Sequence, residues 1–486
     1  MGKRTLTIWL VGALLLSIHD SSKGQEGALQ REYLDAYRRL VDAPAVQAVL
    51  SFIESDHDRR VQDTLELVAI PAPPFNERER AEEMARRFAE IGLADVAIDA
   101  EGNVIGYLRG TRGTPKLVVS AHLDTVFPPG YDATPRIDED GVIHAPGIGD
   151  DTAGLSALLS LARAFVSTGI RPVGDVLFVG TVGEEGRGDL RGVKYLFSSH
   201  ADIDGFISIE GGGGSGRSPT ESFRITYLAL GSKRYEIYFR GPGGHSWGAF
   251  GLPSAIHAMG RAIARIAEMR VPQDPRTSFT VGVVSGGTSV NSIAAEAVME
   301  TDTRSVSPEQ LERTVAEILA HVQVAVAEEN ARWGRWVIDV DPYLVGDRPS
   351  GTQSVESPMV QAAFAAATLL PHSEPALSDS PSSTDSNLPI SLGVPAITVN
   401  GGGRSRGSHS PEESWDPANA WRAVQNVFLT VAGLAGIEGV SEPLLPDHPG
   451  YTYQFTGLPF VPKMYVLPDR EYSFSWVQIV PSEVSR

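Results

Sequence analysis

From residue 116 onward, short apolar runs alternate with stretches whose apolar positions recur at helical spacing. KLVVSAH runs to His122, DVLFVGTV leads into Gly183, GFISIE ends at Glu210, and PAITV ends at Asn400. Between the first two, Leu155, Leu158, Leu159, Ala162 and Phe165 follow Thr152 at the period of an amphipathic helix. Strands that are apolar on both faces must be covered on both faces. The pattern therefore predicts an α/β fold, a mostly parallel sheet with helices on each side. Ahead of it, residues 31 to about 93 read as charged helices broken by VAIPAPPFNERE, whose prolines force a loop.

The rhythm changes near residue 221. KRYEIYFR places Tyr235, Ile237 and Phe239 on one face of a strand, and a helix is expected from Pro253 to Arg270. Strands TSFTVGVV and AEAVMETDTR follow, then a helix capped at Ser307 with Pro308 in its first turn, then strand WVIDVDPYL. That order, βαββαβ, predicts a ferredoxin-like α+β insertion. The main sheet then resumes with helices opening at Ser357 and Asp416. The expected organisation is a leader over 1–24, a catalytic unit over 25–220 and 346–438, the insertion over 221–345, and an aperiodic Pro- and aromatic-rich extension over 439–486.

Composition narrows the choices. A chain of 486 residues suffices for two compact units. The formal net charge of -19 leaves no basic surplus to displace counterions from phosphates, which argues against nucleic acid as a partner. Lys3 and Arg4 precede an apolar run from Leu6 to Ile18, short for a bilayer span but suited to a secretory leader, so a secreted or periplasmic location is expected, with no stable membrane span after cleavage and an uncleaved N-terminal anchor as the alternative. There is no cysteine, so any metal must be held by His, Asp and Glu.

The acidic and imidazole residues that qualify all fall just beyond strand ends, where open α/β sheets collect their ligands. His122 and Asp124 lie in AHLD, Asp150 and Asp151 in GIGDD, Glu184 and Glu185 in GEEG, Glu210 in SIEGG, and His409 in GSHSPEE. Each alone is bland, since a carboxylate at a helix start is usually a cap. Together, two imidazoles and several carboxylates match the donor set of paired zinc ions. Two cations need a shared anion, which one of Asp150 and Asp151 can supply. Of the adjacent Glu184 and Glu185, one can face metal and the other can act as base toward the attacking water. Asp124 is placed to orient the His122 imidazole.

The motifs AHLDTV, GIGDDTAG, GTVGEEG, SIEGG and GSHSPEE, in this order, resemble those of the co-catalytic zinc exopeptidases and amidohydrolases that include peptidase T, glutamate carboxypeptidase, succinyl-diaminopimelate desuccinylase and the aminoacylases. The resemblance extends from about Val68 to Gly436. It implies two Zn2+ ions, replaceable by Co2+ or Mn2+, held by His122, Asp150, Glu185, Glu210 and His409, with Asp150 as the bridge. It further implies Glu184 as general base, Asp124 behind His122, and His245, Asn291 and Arg304 of the insertion as substrate-binding residues. Thr152 departs from the family, where Lys is common. The implied activity is exopeptidase hydrolysis of di- or tripeptides, with N-acyl amino acid deacylation or carboxypeptidase action as alternatives on the same metals. The insertion is expected to serve as lid and homodimer interface. A non-enzymatic binding relative would be expected to have lost a ligand or the base, and every one of these positions is filled.

Overall fold

The structure is a computed structural model that describes residues 29–214 and 216–458. The expected leader and residues 459–486 of the extension lie outside the described residues. The described residues open with four helices: α1 (Arg31–Asp42), α2 (Pro44–Ser55), α3 (His57–Val68) and α4 (Arg78–Ile91). The prolines of Pro71–Pro74 separate α3 from α4, and α4 stops at Gly92, whose φ of 99° is a left-handed cap.

Among the described residues the main sheet has eight strands. In chain order they are β1 (Ala94–Ile98), β2 (Val104–Leu108), β3 (Lys116–His122), β4 (Asp175–Thr181), β5 (Gly205–Ile209), β6 (Glu221–Thr226), β11 (Ser373–Ser378) and β12 (Ala396–Val399). Their spatial order is β1-β2-β4-β3-β5-β12-β6-β11. The central run β4-β3-β5-β12 is parallel throughout, so its four carboxyl ends share one edge. Helix α5 (Ala153–Thr168) follows β3 and leads to β4 on one side, whereas β5, reached through α6 (Arg191–Ser199), lies on the other. The end of β3 is therefore a topological switch point, and His122 stands there. One face is covered by α1, α2, α4, α5, α9 (Pro358–Leu369) and α10 (Trp421–Ala435), which contribute Tyr37, Phe88, Phe165 and Phe428 to the core. The other carries α6 and the segment around Tyr451 and Tyr453, where the Tyr451 ring lies 5.2 Å from that of Phe197 at a tilt of 39°. Within the extension, Leu445 is buried and residues 443–458 form neither helix nor strand.

The insertion is a second sheet of β7 (Gly231–Arg240), β8 (Thr277–Gly286), β9 (Glu296–Ser305) and β10 (Asp339–Arg348), in the order β8-β9-β7-β10, all antiparallel. With α7 (Ala255–Ala267) and α8 (Pro308–Trp333) it forms the expected ferredoxin-like motif. Ser307 caps α8, its hydroxyl accepting the Gln310 N–H at 3.2 Å. Ile237, Phe239, Ala297 and Met299 point into the helices. By the period of two, Arg234, Glu236, Glu300 and Asp302 line the opposite face. The chain leaves and re-enters the main unit side by side, since Leu228–Ala229 pairs with Gly351–Thr352.

Three local expectations shift. Glu221–Thr226, assigned from the sequence to the insertion, pairs with β11 and β12 and belongs to the main sheet; its apolar positions fit either sheet, and only long-range pairing decides. The strand expected from Trp336 begins at Asp339. The last helix begins at Trp421 rather than near Asp416, because Asp416 is paired in a hairpin and Asn419 sits at φ 58°, outside helical space.

One buried arginine joins the pieces. The Arg60 side chain on α3 donates to the carbonyls of Ala153 (3.1 Å), Gly401 (2.6 Å) and Ala420 (2.7 Å), at the starts of two helices and the end of β12. It is fully buried, and that burial pushes its pKa down to about 9. Arg60→Ala strands three carbonyls without donors and is expected to cost about 3–5 kcal/mol of stability; a urea midpoint within experimental error of the wild type would remove this anchor from the account.

Candidate metal centre

The loops after β3, β4, β5 and β12 meet at one edge. Among the described residues, donor atoms of His122, Asp150 and Glu185 lie within 4.8 Å of one another. Asp150 Oδ1 is 3.0 Å from His122 Nε2, and its Oδ2 is 3.2 Å from His409 Nε2. Each carboxylate oxygen thus serves a different imidazole. His409 Nε2 is also 3.0 Å from Glu185 Oε1. His122 Nδ1 is 2.9 Å from the carbonyl oxygen of Asp124, which as acceptor sets the tautomer that turns the Nε2 lone pair toward the cluster. The His409 side chain is 55% exposed, against 25% or less for His122, Asp150 and Glu185, and so marks the open side.

The adjacent aspartates diverge. Asp150 faces the imidazoles, while Asp151 turns back into the protein and accepts the N–H groups of His122 (3.0 Å) and Gly211 (2.7 Å). Burial pushes the Asp151 carboxyl up to about 8. The glycines of GIGDD are needed for two reasons. Gly147 has φ 74°, and a Cβ on Gly149 would lie 2.2 Å from Ser405 Oγ. Glu413 holds the loop from above, accepting N–H groups of Gly147, Gly149 and Asp150 at 2.8–2.9 Å. Thr152, the departure from the family pattern, donates its hydroxyl to the Gly147 carbonyl at 2.7 Å and closes the turn.

Asp124 also serves the next loop. Its carboxylate is 3.7 Å from His122 Nδ1 but accepts the N–H groups of Glu184 (3.0 Å) and Glu185 (2.8 Å), so it aims both glutamates. Burial raises the Glu184 carboxyl well above the usual carboxylate range, and the charges of Glu185 and Glu210 add to this; Arg348 opposes it, donating to Glu184 Oε1 at 3.1 Å. Glu210 is raised in the same way by burial, and its Oε1 is buried without a hydrogen-bond partner. Such an orphaned acceptor beside Asp150 and His122 is what a cation-binding site requires. The donor set, two imidazoles and three carboxylates without thiolate, fits a pair of divalent ions of the zinc type.

Sequence reasoning passed over Arg348, Glu413 and Asp385. Asp385 accepts from Thr181 Oγ1 at 2.6 Å, and burial pushes its pKa up to about 6. Of the three, only Glu413 carried a local signal, as the last residue of GSHSPEE. In the insertion, His245 and Asn291 come together on a cavity of about 530 Å3, paired through Gly244–His245 against Ser292–Ile293. That cavity is not lined by His122, Asp150 or Glu185. Arg304 is held by Asp302, its Nε donating to Oδ2 at 2.7 Å.

The chain matches the family model "Peptidase family M20/M25/M40" over residues 118–432. It is 27% identical over 357 residues to protein YqjE of Bacillus subtilis (strain 168), covering 70% of this chain and 89% of that one. Aminopeptidase PepT from Bacillus cereus ATCC 10987 superimposes with a TM-score of 0.60 at 23% identity, over 77% of this chain and 98% of that one. The YXEP protein of Bacillus subtilis, described as a dinuclear metal binding peptidase of the M20 family, does so with a TM-score of 0.56 at 18% identity, over 78% and 98%.

The hydrogen bonds of Asp150 and Glu185 raise the His409 pKa to about 10. Without metal, the His409 proton is therefore held across neutral pH, and its ion pairs are lost as pH rises toward 10. Since a ligating imidazole must be neutral, a divalent ion held by His409 would compete with that proton, and affinity is expected to rise with pH up to that value. Calorimetric titration of metal-free protein with zinc in buffers of different ionisation enthalpy is expected to show proton release; an enthalpy independent of buffer would contradict it.

Proposed function

This chain belongs to peptidase family M20/M25/M40, and on that footing we propose that it is a secreted di-zinc exopeptidase cleaving di- and tripeptides. The observation that carries the reading is Asp150 presenting one oxygen to each of His122 and His409. His122, Asp150, Glu185, Glu210 and His409 would hold the two ions. Bound, they would supply Lewis-acid polarisation of the scissile carbonyl and acidify the attacking water.

Glu184 is the general base in this reading. Its carboxylate is held beside the cluster through the N–H bond to Asp124 and the Arg348 contact, takes the proton of the nucleophile and passes it to the leaving nitrogen. Asp124 fixes the His122 ring through its carbonyl and the glutamate pair through its carboxylate. His245 is a donor for the developing oxyanion, and Asn291 and Arg304 grip substrate polar groups. The cavity of His245 and Asn291 is not lined by the metal cluster of its own chain, which supports their serving a second subunit. Edge strand β8, with Val283 and Val284 half-exposed, and the 87% exposed Trp247 support a homodimer formed through the insertion.

Glu184→Gln is expected to retain about two zinc equivalents yet lose roughly 10²–10⁴-fold in turnover. Wild-type turnover in that variant, measured with metal content in the same preparation, would remove Glu184 from the mechanism. A panel of dipeptides, tripeptides and N-acyl amino acids separates peptidase from deacylase or carboxypeptidase, since turnover confined to N-acyl substrates would overturn the peptidase reading. His245→Ala is expected to lower kcat by about 10²-fold. Mixing it with inactive Glu184→Gln should restore part of the activity if subunits share sites, and no restoration would place the site within one chain.

A further inference from the structure

The loop that carries Glu184 and Glu185 runs from Gly183 to Asp189 and has a single 3₁₀ turn, Gly186–Gly188, as its regular structure. Gly183, Gly186, Asp189 and Leu190 all have positive φ, between 51° and 66°. For Asp189 and Leu190 that conformation costs on the order of 1–3 kcal/mol each, so the loop depends on ties from outside. Asp124 supplies those at its start.

The remaining ties come largely from the insertion. Arg234 of β7 donates to the Gly186 carbonyl at 2.7 Å. The Asp347 N–H of β10 is bonded by Asp189 Oδ1 at 2.8 Å. Arg348 donates to the carbonyl and carboxylate of Glu184. Arg187 reaches the other way, its Nη2 donating to Glu300 Oε2 at 2.5 Å and its Nη1 lying 3.6 Å from Glu236 Oε2.

The register explains why a cation is needed there. Glu236 and Glu300 are direct cross-strand partners on β7 and β9, on the face opposite the insertion's apolar core. Opposed like charges destabilise a sheet, the more so here because the Glu236 and Glu300 side chains are only 8% and 21% exposed. Their counterion is the guanidinium of Arg187, two residues beyond Glu185. A sheet of one unit thus obtains its missing charge from the catalytic loop of the other.

We propose that Arg187 is a positioning residue that sets Glu184 and Glu185 by plugging their loop into the Glu236–Glu300 pair, so that the pose of the insertion is transmitted to the base. This rests on the reading of Glu184 as base, but the tie itself can be tested without activity. In zinc-loaded, full-length protein, Arg187→Gln is expected to speed amide hydrogen exchange in residues 183–190 by about tenfold or more. It is expected to retain its zinc and lower kcat by roughly 10–100-fold with a smaller change in KM, and Arg187→Lys should recover part of that loss. The triple variant Arg187→Gln, Glu236→Gln, Glu300→Gln removes the charge conflict and separates positioning from stability: thermal stability should return without kcat. Recovery of kcat with stability would reduce Arg187 to charge balance and overturn the proposal, as would wild-type exchange in the single variant or loss of its zinc. If the wild type hydrolyses nothing in the panel, the functional reading fails, and the exchange result still decides the tie.

Discussion

Carboxylates gathered away from water repel one another and lose hydration, and every feature of this edge of the sheet answers that constraint. Asp124, Asp150, Asp151, Glu184, Glu185, Glu210 and Asp385 converge where four parallel strands end. At 4 Å and an effective dielectric near 20, two like charges cost about 4 kcal/mol, so such a group persists only with countercharge or protons. The structure uses both. Burial raises Asp151, Glu184, Glu210 and Asp385 toward their neutral forms, whereas Asp150, although burial works against it, is held well below the usual range by His122 and His409. Divalent cations would supply further countercharge.

A crowded anionic edge also has to be held in shape, and buried arginines do this through backbone carbonyls as well as through ion pairs. Arg60 joins Ala153, Gly401 and Ala420, while Arg80 bonds the carbonyls of Ile70 and Leu123, the latter immediately after His122. Arg348 holds Glu184 by carbonyl and carboxylate alike. A guanidinium suits this role, because its planar fork of donors reaches several carbonyls at once and stays charged when desolvated. Rigid loops in turn allow Asp150 to present one oxygen in each direction.

The two units are coupled through charge rather than through a shared apolar core. The insertion keeps Ile237, Phe239, Ala297 and Met299 for its own helices and turns Arg234, Glu236, Glu300 and Asp302 toward the loop of Glu184. Polar contacts of this kind permit one body to move against the other more readily than apolar packing does. Placing them on the loop that bears Glu184 ties any such movement to the site.

Much of this was legible locally. Apolar runs flanked by helical periods gave away the parallel strands and their carboxyl ends, and with them the neighbourhood of His122, Asp150, Glu185, Glu210 and His409; the βαββαβ order and the Ser307 cap were equally plain, because period and capping are properties of adjacent residues. What the chain alone could not decide was anything set by distant pairing. The strand Glu221–Thr226 reads the same in either sheet until β11 and β12 claim it. Arg348 and Arg187 look like ordinary surface arginines until the fold brings Glu184 to the first and the opposed Glu236 and Glu300 to the second. An apolar side chain carries its instruction in its own hydration, whereas a charged one acquires its role only from the partner that tertiary structure places beside it.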